Sequence, residues 1–307
     1  MIHYLEHSAI DKKKWDRCIE SSANGMIYAS SWYLDLVSPG WSALVEHDYR
    51  SVFPLTRRKK FGFHYLCQPP FTQQLGLFGN EHSGNEEHIL QFCGTIPAKY
   101  KLIEINLNTQ NRFHPHVDNF TVHPRRTFIL PLEKSYDELR KQYHENLERN
   151  IRKAEKNGLL VDSTVDVVEI IDLFKTNKGK EVKTLGEKEY GLYKRLIAKA
   201  KELNLVEIPG IRNAGGKLIA GAVFLKSFHE YIFHFSATGS EARETAAMPF
   251  LIDSVIRKHS GEKTNLDFEG SMDPDLARFY QGFGSKEVLY LQLHKNTLPA
   301  LLRRFKS

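Results

Sequence analysis

The chain predicts an α+β layered protein built as two like halves, each a mixed, mostly antiparallel sheet flanked by helices. Three observations predict it. The 307 residues exceed one typical domain and suit two of about 150. From Ser135 onward the order reads helix, strand, two helices, three antiparallel strands, helix, strand, helix, strand. In the middle of that run the period changes: Tyr231, Phe233 and Phe235 alternate with Ile232, His234 and Ser236, whereas Met248, Leu251, Ile252, Val255 and Ile256 recur at helical spacing.

Taken in order, Ile2 to Leu5 predicts an edge strand, and Asp11 caps a helix to about Ser21 with Trp15 and Ile19 on one face. Met26 to Val37 holds a strand end and a short helix. Ser42 to His47 and Ser51 to Leu55 predict two strands, and the basic run Arg57 to Lys60 reads as a solvated hairpin turn. Four charges without interleaved aromatics form no stacking platform. Gln68-Pro-Pro-Phe-Thr-Gln-Gln predicts a fixed, extended loop, because two prolines cannot sit inside a sheet. Its amides, Gln73 among them, suit either the wall of a ligand cleft or a rigid connector. A helix from Glu86 to Thr95 and strands at Lys101 to Leu107 and Arg126 to Leu132 follow.

In the second half Ser135 and Glu138 form a capping box opening one long helix to Gly158, with the stripe Leu139, Tyr143, Leu147, Ile151, Ala154. Arg149, Arg152, Lys153 and Lys156 load its far end, where the helix dipole favours cations and an anion could also bind. Strand Leu159 to Val161 and helices Val165 to Lys175 and Glu187 to Leu203 come next, separated by a polar loop holding Lys178, Lys180 and Lys183. That loop is a solvated connector or a clamp for a phosphate or carboxylate. A hairpin turns at Asn213-Ala-Gly-Gly, Pro249 starts a helix, and Asp273-Pro274 starts another that ends near Gly282. The expected division is 1–134, 135–296, and a short basic C-terminal helix, 297–307, packing back on the first half.

Composition excludes several classes. A 41% hydrophobic and 11% aromatic chain can fill packed cores, so disorder is excluded. A net charge of +6 admits an anionic partner such as nucleic acid, a nucleotide sugar or a pyrophosphate, without requiring one. Cys18, Cys67 and Cys93 have no CxxC spacing and suit a reducing compartment, and no zinc motif is present. His114-Pro-His116 offers two imidazoles without further ligands. The N-terminus lacks the pattern of a signal peptide and no stretch is apolar enough to span a bilayer, so a cytoplasmic protein is expected.

Leu147-Glu-Arg-Asn-Ile-Arg-Lys-Ala-Glu-Lys-Asn-Gly158, Leu266-Asp-Phe-Glu-Gly-Ser271 and Leu276-Ala-Arg-Phe-Tyr-Gln-Gly-Phe-Gly284 carry a resemblance to the GNAT acyltransferase fold, and specifically to the FemABX-like group with two such domains in tandem. Ile27 to Leu34, with Trp32, and Gln68 to Phe71 look like the matching half. The resemblance implies acyl or aminoacyl transfer onto an amine of a cell-wall precursor held between the halves. It also implies no tightly bound cofactor. The acyl donor is a co-substrate, and charged tRNA is a candidate partner, although the helical hairpin some members use to reach tRNA has no room here.

For an acetyl-CoA donor the family needs Arg or Gln followed by two small residues at the turn entering the central helix. If Arg243 is the first position, Ala246 and Met248 fill the two that require close approach, which disfavours CoA. The chemistry asks for an oxyanion donor, a base and an acid. Glu269, leaving the Asp-Phe-Glu strand, is the expected base; His234 and Tyr231 are expected acid or orienting groups; Asp267 shares the strand. Substrate contacts are expected from Asp267, Lys178, Lys180, Arg149, Arg152, Gln73 and Trp32. Acyl-thioester transfer and a non-catalytic binding role remain the alternatives.

Overall fold

A computed structural model describes residues 1–60, 62–79, 85–112, 116–117, 120–182, 184–270 and 272–299. In chain order the elements are β1 (Ile2–Leu5), α1 (Lys12–Ser21), α2 (Ser31–Val37), β2 (Ser42–Glu46), β3 (Ser51–Leu55), β4 (Arg57–Lys60), β5 (Phe63–Cys67), β6 (Phe78–Gly79), α3 (Glu86–Thr95), β7 (Tyr100–Asn106), β8 (His116–Val117) and β9 (Phe120–Pro131). There follow α4 (Tyr136–Arg140), α5 (Glu145–Lys156), β10 (Val161–Asp162), α6 (Val167–Thr176), α7 (Glu187–Glu202), β11 (Val206–Glu207), β12 (Gly210–Arg212), β13 (Leu218–Lys226) and β14 (Glu230–Thr238). The chain ends with α8 (Ser240–Thr245), α9 (Ala247–His259), β15 (Asn265–Asp267), α10 (Pro274–Gln281) and β16 (Lys286–Asn296). Two compact units result, Met1–Arg126 with the chain from Leu289 onward, and Thr127–Val288.

The first unit holds the strand sequence β1-β2-β3-β6 and a second run, β4-β5-β7-β16. In the second run β5 and β7 are parallel, while β4–β5 and β7–β16 are antiparallel. Leu66, Phe53, Phe92, Ile103, Ile105 and Leu293 form its core. Asp11 caps α1 as expected, its side chain accepting from the Lys13 and Lys14 N–H groups. The basic run departs from expectation. Arg57 to Lys60 is an edge strand rather than a turn, because each residue pairs across the ladder, Arg57 with Leu66 through Lys60 with Phe63. Charge on an edge strand discourages pairing with another chain.

The second unit orders its strands β10-β12-β13-β14-β15-β9, with only β14–β15 parallel among them. The α5, α9 and α10 helices bury Leu147, Ile151, Leu251, Ile252 and Tyr280 against Phe128, Phe233, Leu266 and Phe268 of this sheet. Both units thus contain the same motif. An antiparallel hairpin is followed by a helix and then by a strand parallel to the hairpin's second strand: β4–β5, α3, β7 in one, and β13–β14, α9, β15 in the other.

The single long helix expected after Ser135 is two. The Ser135 N–H and hydroxyl both donate to the Glu138 carboxylate, at 3.1 and 2.6 Å, and start α4. The helix then breaks because the His144 N–H donates to the Gly282 carbonyl at 2.9 Å instead of to the preceding turn. Gly284 permits that approach: its φ is +81°, and a Cβ there would lie 2.9 Å from the Gln142 Cβ. The apolar stripe nonetheless stays inward, with Leu139, Tyr143, Leu147, Ile151 and Ala154 all buried. The α9 helix starts at Ala247, after a left-handed Ala246, so Pro249 lies just inside its first turn. The expected helix beginning at Thr297 lies for the most part outside the described residues, as do His114 of the His-Pro-His motif and Lys183.

Candidate functional site

The second unit's sheet opens between its two parallel strands. The β14–β15 ladder runs from Glu230 opposite Asn265 to Ile232 opposite Asp267 and stops there, while β14 continues to Thr238. Beyond Asp267 the chain stays with β9 instead, the Phe268 N–H donating to the Phe128 carbonyl at 2.9 Å. One side of β14 from Phe233 onward therefore faces a gap rather than a strand. At the same place β14 carries a bulge: Val223 pairs with Phe235 and Phe224 with Phe233, leaving His234 as the extra residue. The bulge puts both His234 and Phe235 against Tyr193 of α7, at ring separations of 5.4 and 5.0 Å.

Glu269 stands at the mouth of this gap in a left-handed conformation, φ +51°, that a side chain with a Cβ adopts only when its surroundings impose it. Two bonds impose it here. Its N–H donates to the Asp267 carboxylate at 2.8 Å, and the next N–H, of Gly270, donates to the Thr127 hydroxyl oxygen at 3.1 Å. Thr127 in turn donates its hydroxyl to Asp267. Thr127 and Asp267 are buried, so this short network is sheltered from water.

The electrostatics of the gap are those of crowded carboxylates. Burial drives the Asp267 carboxyl up, against the lowering effect of the Thr127 hydroxyl and the Glu269 N–H. Glu230, two residues before Ile232 on the same strand face, is also raised, by burial first and then by the charge of Asp267. Tyr280 of α10 completes the site. Its ring stacks on Phe268 at 5.0 Å, and its hydroxyl is raised by burial and then by the fields of Glu269, Asp267 and Asp273. Burial and these neighbouring carboxylates keep the phenol protonated at neutral pH.

The structure brings together two of the expected residues, Asp267 and Glu269, and adds Thr127, Glu230 and Tyr280; His234 turns to α7 instead. His234 is buried, with Nδ1 3.0 Å from the Tyr193 hydroxyl. Tyr231 lies elsewhere: it stacks on His259 at 4.0 Å, and its hydroxyl donates to Glu262 at 3.4 Å. Arg149 and Arg152 lie on the exposed face of α5, Arg149 donating to Asn146 at 3.1 Å and Arg152 pairing with Glu148 at 2.8 Å. Lys178 and Lys180 are exposed on a 3₁₀ turn, with Lys178 3.6 Å from Glu181. Arg243 is exposed on α8. Among the described residues no group of His, Cys, Asp and Glu side chains is arranged to hold a metal ion.

Gln73 and Trp32 belong to the first unit, where the equivalent gap is closed. After β5 the loop Gln68 to Leu75 fills the place beside the end of β7. The Asn106 N–H donates to the Gln68 side-chain oxygen at 3.1 Å, the Asn106 amide donates to the Gln73 carbonyl at 2.8 Å, and the Leu75 N–H donates to the Asn106 carbonyl at 2.9 Å. Trp32 packs edge-on against Tyr33 at 5.4 Å, and the Tyr33 hydroxyl donates to the carbonyl of Phe71. Gly76 lets this loop pass, since a Cβ would fall 2.3 Å from the Asn111 side-chain oxygen. The proline-rich segment is thus held by a network of backbone and amide hydrogen bonds.

Sequence reasoning missed Tyr280, Thr127 and Glu230. Tyr280 carries no local signal that sets it apart from Phe279 beside it, and Thr127 reaches Asp267 across a separation of 140 residues.

No family model matches this chain, and none of the curated proteins matches it. Solved structures do. FemX superposes with a TM-score of 0.70 at 14% identity, covering 97% of this chain and 99% of that one. The C-terminal domain of a putative lysylphosphatidylglycerol synthetase from Agrobacterium fabrum matches with a TM-score of 0.54 at 11% identity, covering 94% of this chain and 92% of that domain. L-PGS from Bacillus licheniformis matches with a TM-score of 0.53 at 11% identity, covering 96% and 94%. The fold is therefore the tandem GNAT-like fold of the FemABX type, as the sequence motifs implied. No helix among the described residues is long and apolar enough to cross a membrane.

Proposed function

We propose that the second unit catalyses transfer of an acyl or aminoacyl group to an amine, with a cell-envelope precursor or related molecule as acceptor. The observation that carries this reading is the parted pair β14–β15 with Glu269 held at its mouth and Tyr280, whose hydroxyl feels the charge of Glu269, on the following helix. In the proposed step the acceptor nitrogen attacks the donor carbonyl carbon, a new C–N bond forms, and the bond from that carbon to the leaving oxygen or sulfur breaks. Glu269 takes the proton from the attacking nitrogen, and Tyr280 gives one to the leaving atom. Backbone groups on the open side of β14 line the place where the carbonyl oxygen becomes negative. Asp267 and Thr127 act through Glu269, fixing the turn that aims it.

The similarity to FemX and to a putative lysylphosphatidylglycerol synthetase supports an activated aminoacyl group as donor. The test incubates the purified chain with aminoacyl-tRNA, acyl-CoA or an acyl-carrier thioester, each with a nucleotide-linked muropeptide, and looks for acceptor mass gain. Transfer from aminoacyl-tRNA that is lost in Glu269→Gln and reduced in Tyr280→Phe is the expected result. Transfer only from a thioester would change the donor, and unchanged turnover in both variants would remove the mechanism.

A further inference from the structure

The second unit's sheet has an open edge beside β11, separated from the β14–β15 gap by β13. Successive residues of an antiparallel strand bond alternately to its two sides. The Leu205 carbonyl accepts from the Lys226 N–H at 2.9 Å and the Pro209 carbonyl from the Ala222 N–H at 3.0 Å, so Leu205, Glu207 and Pro209 bond inward to β13. Val206 and Ile208 therefore aim their N–H and C=O groups outward. No strand among the described residues covers that side, because β11 pairs with β13 alone and β10 runs beside β12 only as far as Asp162, opposite Gly210. The Asp162 carboxylate turns the chain away there, accepting from the Thr164 N–H at 2.8 Å and the Thr164 hydroxyl at 2.6 Å. Gly210 lets the departing chain pass close, since a Cβ on it would lie 2.7 Å from the Val165 Cγ2. The space left is a cavity of about 600 Å³ walled by Val165, by Lys201 of α7, and by Ser254, Val255 and Lys258 of α9.

We propose that this cavity takes an extended, uncharged and apolar segment of a partner protein, which pairs with Val206 and Ile208 as an added strand. The two outward sets of N–H and C=O lie two residues apart, about 6.8 Å at the antiparallel rise, and a peptide backbone repeats the complementary groups at the same interval. The lining selects the side chains. Its charges cancel, Lys201 against Asp166 and Lys258 against Glu207, each at 2.8 Å, so it attracts neither a phosphate nor a cation. Val165, Val206, Ile208 and Val255 offer apolar contact instead. A sheet edge that pairs with nothing is ordinarily blunted by lysine or proline. Here the outward positions are a valine and an isoleucine, and Pro209 falls on an inward one. A second copy of the chain fits less well, because its own flanking helices would meet the α7 and α9 walls, whereas an extended segment is one strand wide. The proposal goes beyond the transfer reaction and stands without it.

Fluorescence anisotropy of the full chain tests it with a labelled, capped seven-residue peptide in which valine alternates with threonine. Two further probes are the same peptide N-methylated at alternate nitrogens, along one edge, and at every nitrogen. The first two bind, because an added strand pairs through a single edge. The third keeps the side chains but has no donors for the Val206 and Ile208 carbonyls, and it binds about 5- to 150-fold more weakly, the loss of two hydrogen bonds. Binding slows exchange of the Val206 and Ile208 amide hydrogens and leaves that of the inward Glu207 as it was. Ser254→Trp, filling the cavity from α9, abolishes binding. Should it fail to fold, Ile208→Pro, which removes an outward donor and no internal bond, weakens binding about 2- to 13-fold. Equal binding of the fully methylated peptide or unchanged exchange at Val206 and Ile208 overturns the proposal. So does displacement of the probe by a nucleotide-linked muropeptide, which would make the cavity an acceptor site, or self-association that Ser254→Trp removes, which would make it a contact between copies.

Discussion

Replacing Glu269 with glycine should make the protein more stable while abolishing transfer. Glu269 sits at φ +51°, and a residue with a Cβ held there costs about 1–2 kcal/mol. Glycine removes that strain but loses more conformational freedom on folding, which offsets about 0.5–1 kcal/mol of the gain. The net expectation is about 0.5–1 kcal/mol of added stability, or a Tm increase of about 1–4 °C for a unit of this size. Comparing Glu269→Ala with Glu269→Gly isolates the backbone contribution, because neither variant carries the carboxylate and both keep the N–H donated to Asp267. The assay is urea unfolding at constant m, read alongside acceptor mass gain for both variants and for Glu269→Gln. A glycine variant no more stable than the alanine variant would refute the idea that this turn stores strain. Retained transfer in all three would refute the role given to the side chain.

Other expectations follow from the same network. Thr127→Val removes the hydroxyl that donates to Asp267 and accepts from Gly270; losing these two bonds should cost about 1–3 kcal/mol in urea unfolding, with Thr127→Ser close to the native value. Asp267 and Glu230 both have raised pKa values in the folded state, so their stabilising contribution is complete at low pH and is lost as pH rises above the ordinary carboxylate range; Glu230→Gln should flatten that part of the stability–pH curve. On α9 the buried Asp253 accepts from the hydroxyls of Tyr136 and Tyr143, each at 3.0 Å, so Asp253→Ala should lower stability by about 2–4 kcal/mol. Burial pushes the Cys18 thiol up to about 11 and Cys93 up to about 12, so a thiol reagent at neutral pH should label neither in the native protein and both after denaturation.

The strand–helix alternation was legible because each element obeys its own period. Asp11, Ser135 and Asp273 announced their helices by chemistry that acts within three residues, and the structure keeps all three starts. What escaped depends on partners far along the chain. The break after α4 comes from a carbonyl at Gly282, which no local pattern around Lys141 reveals. The basic run reads locally as a turn because its pairing partners, Phe63 to Leu66, follow it in sequence and come opposite it only through the hairpin register. Among site residues, Asp267 and Glu269 could be named because the strand exit was visible. Their support by Thr127 could not, since a threonine on a distant strand looks like any β-branched sheet residue.

The interruption between α4 and α5 reaches further than the helix it divides. By holding Gly282 through the His144 N–H, with Gln142 packed under Gly284, it rivets the trailing end of the helix on which Tyr280 is carried. The phenol's position is thus set from a surface bend, and in the proposed reaction side chains there would adjust the proton donor from a distance. Under the proposed mechanism, a substitution at this bend is expected to change the rate of transfer more than the melting temperature, because it moves the helix that carries Tyr280 without opening the core.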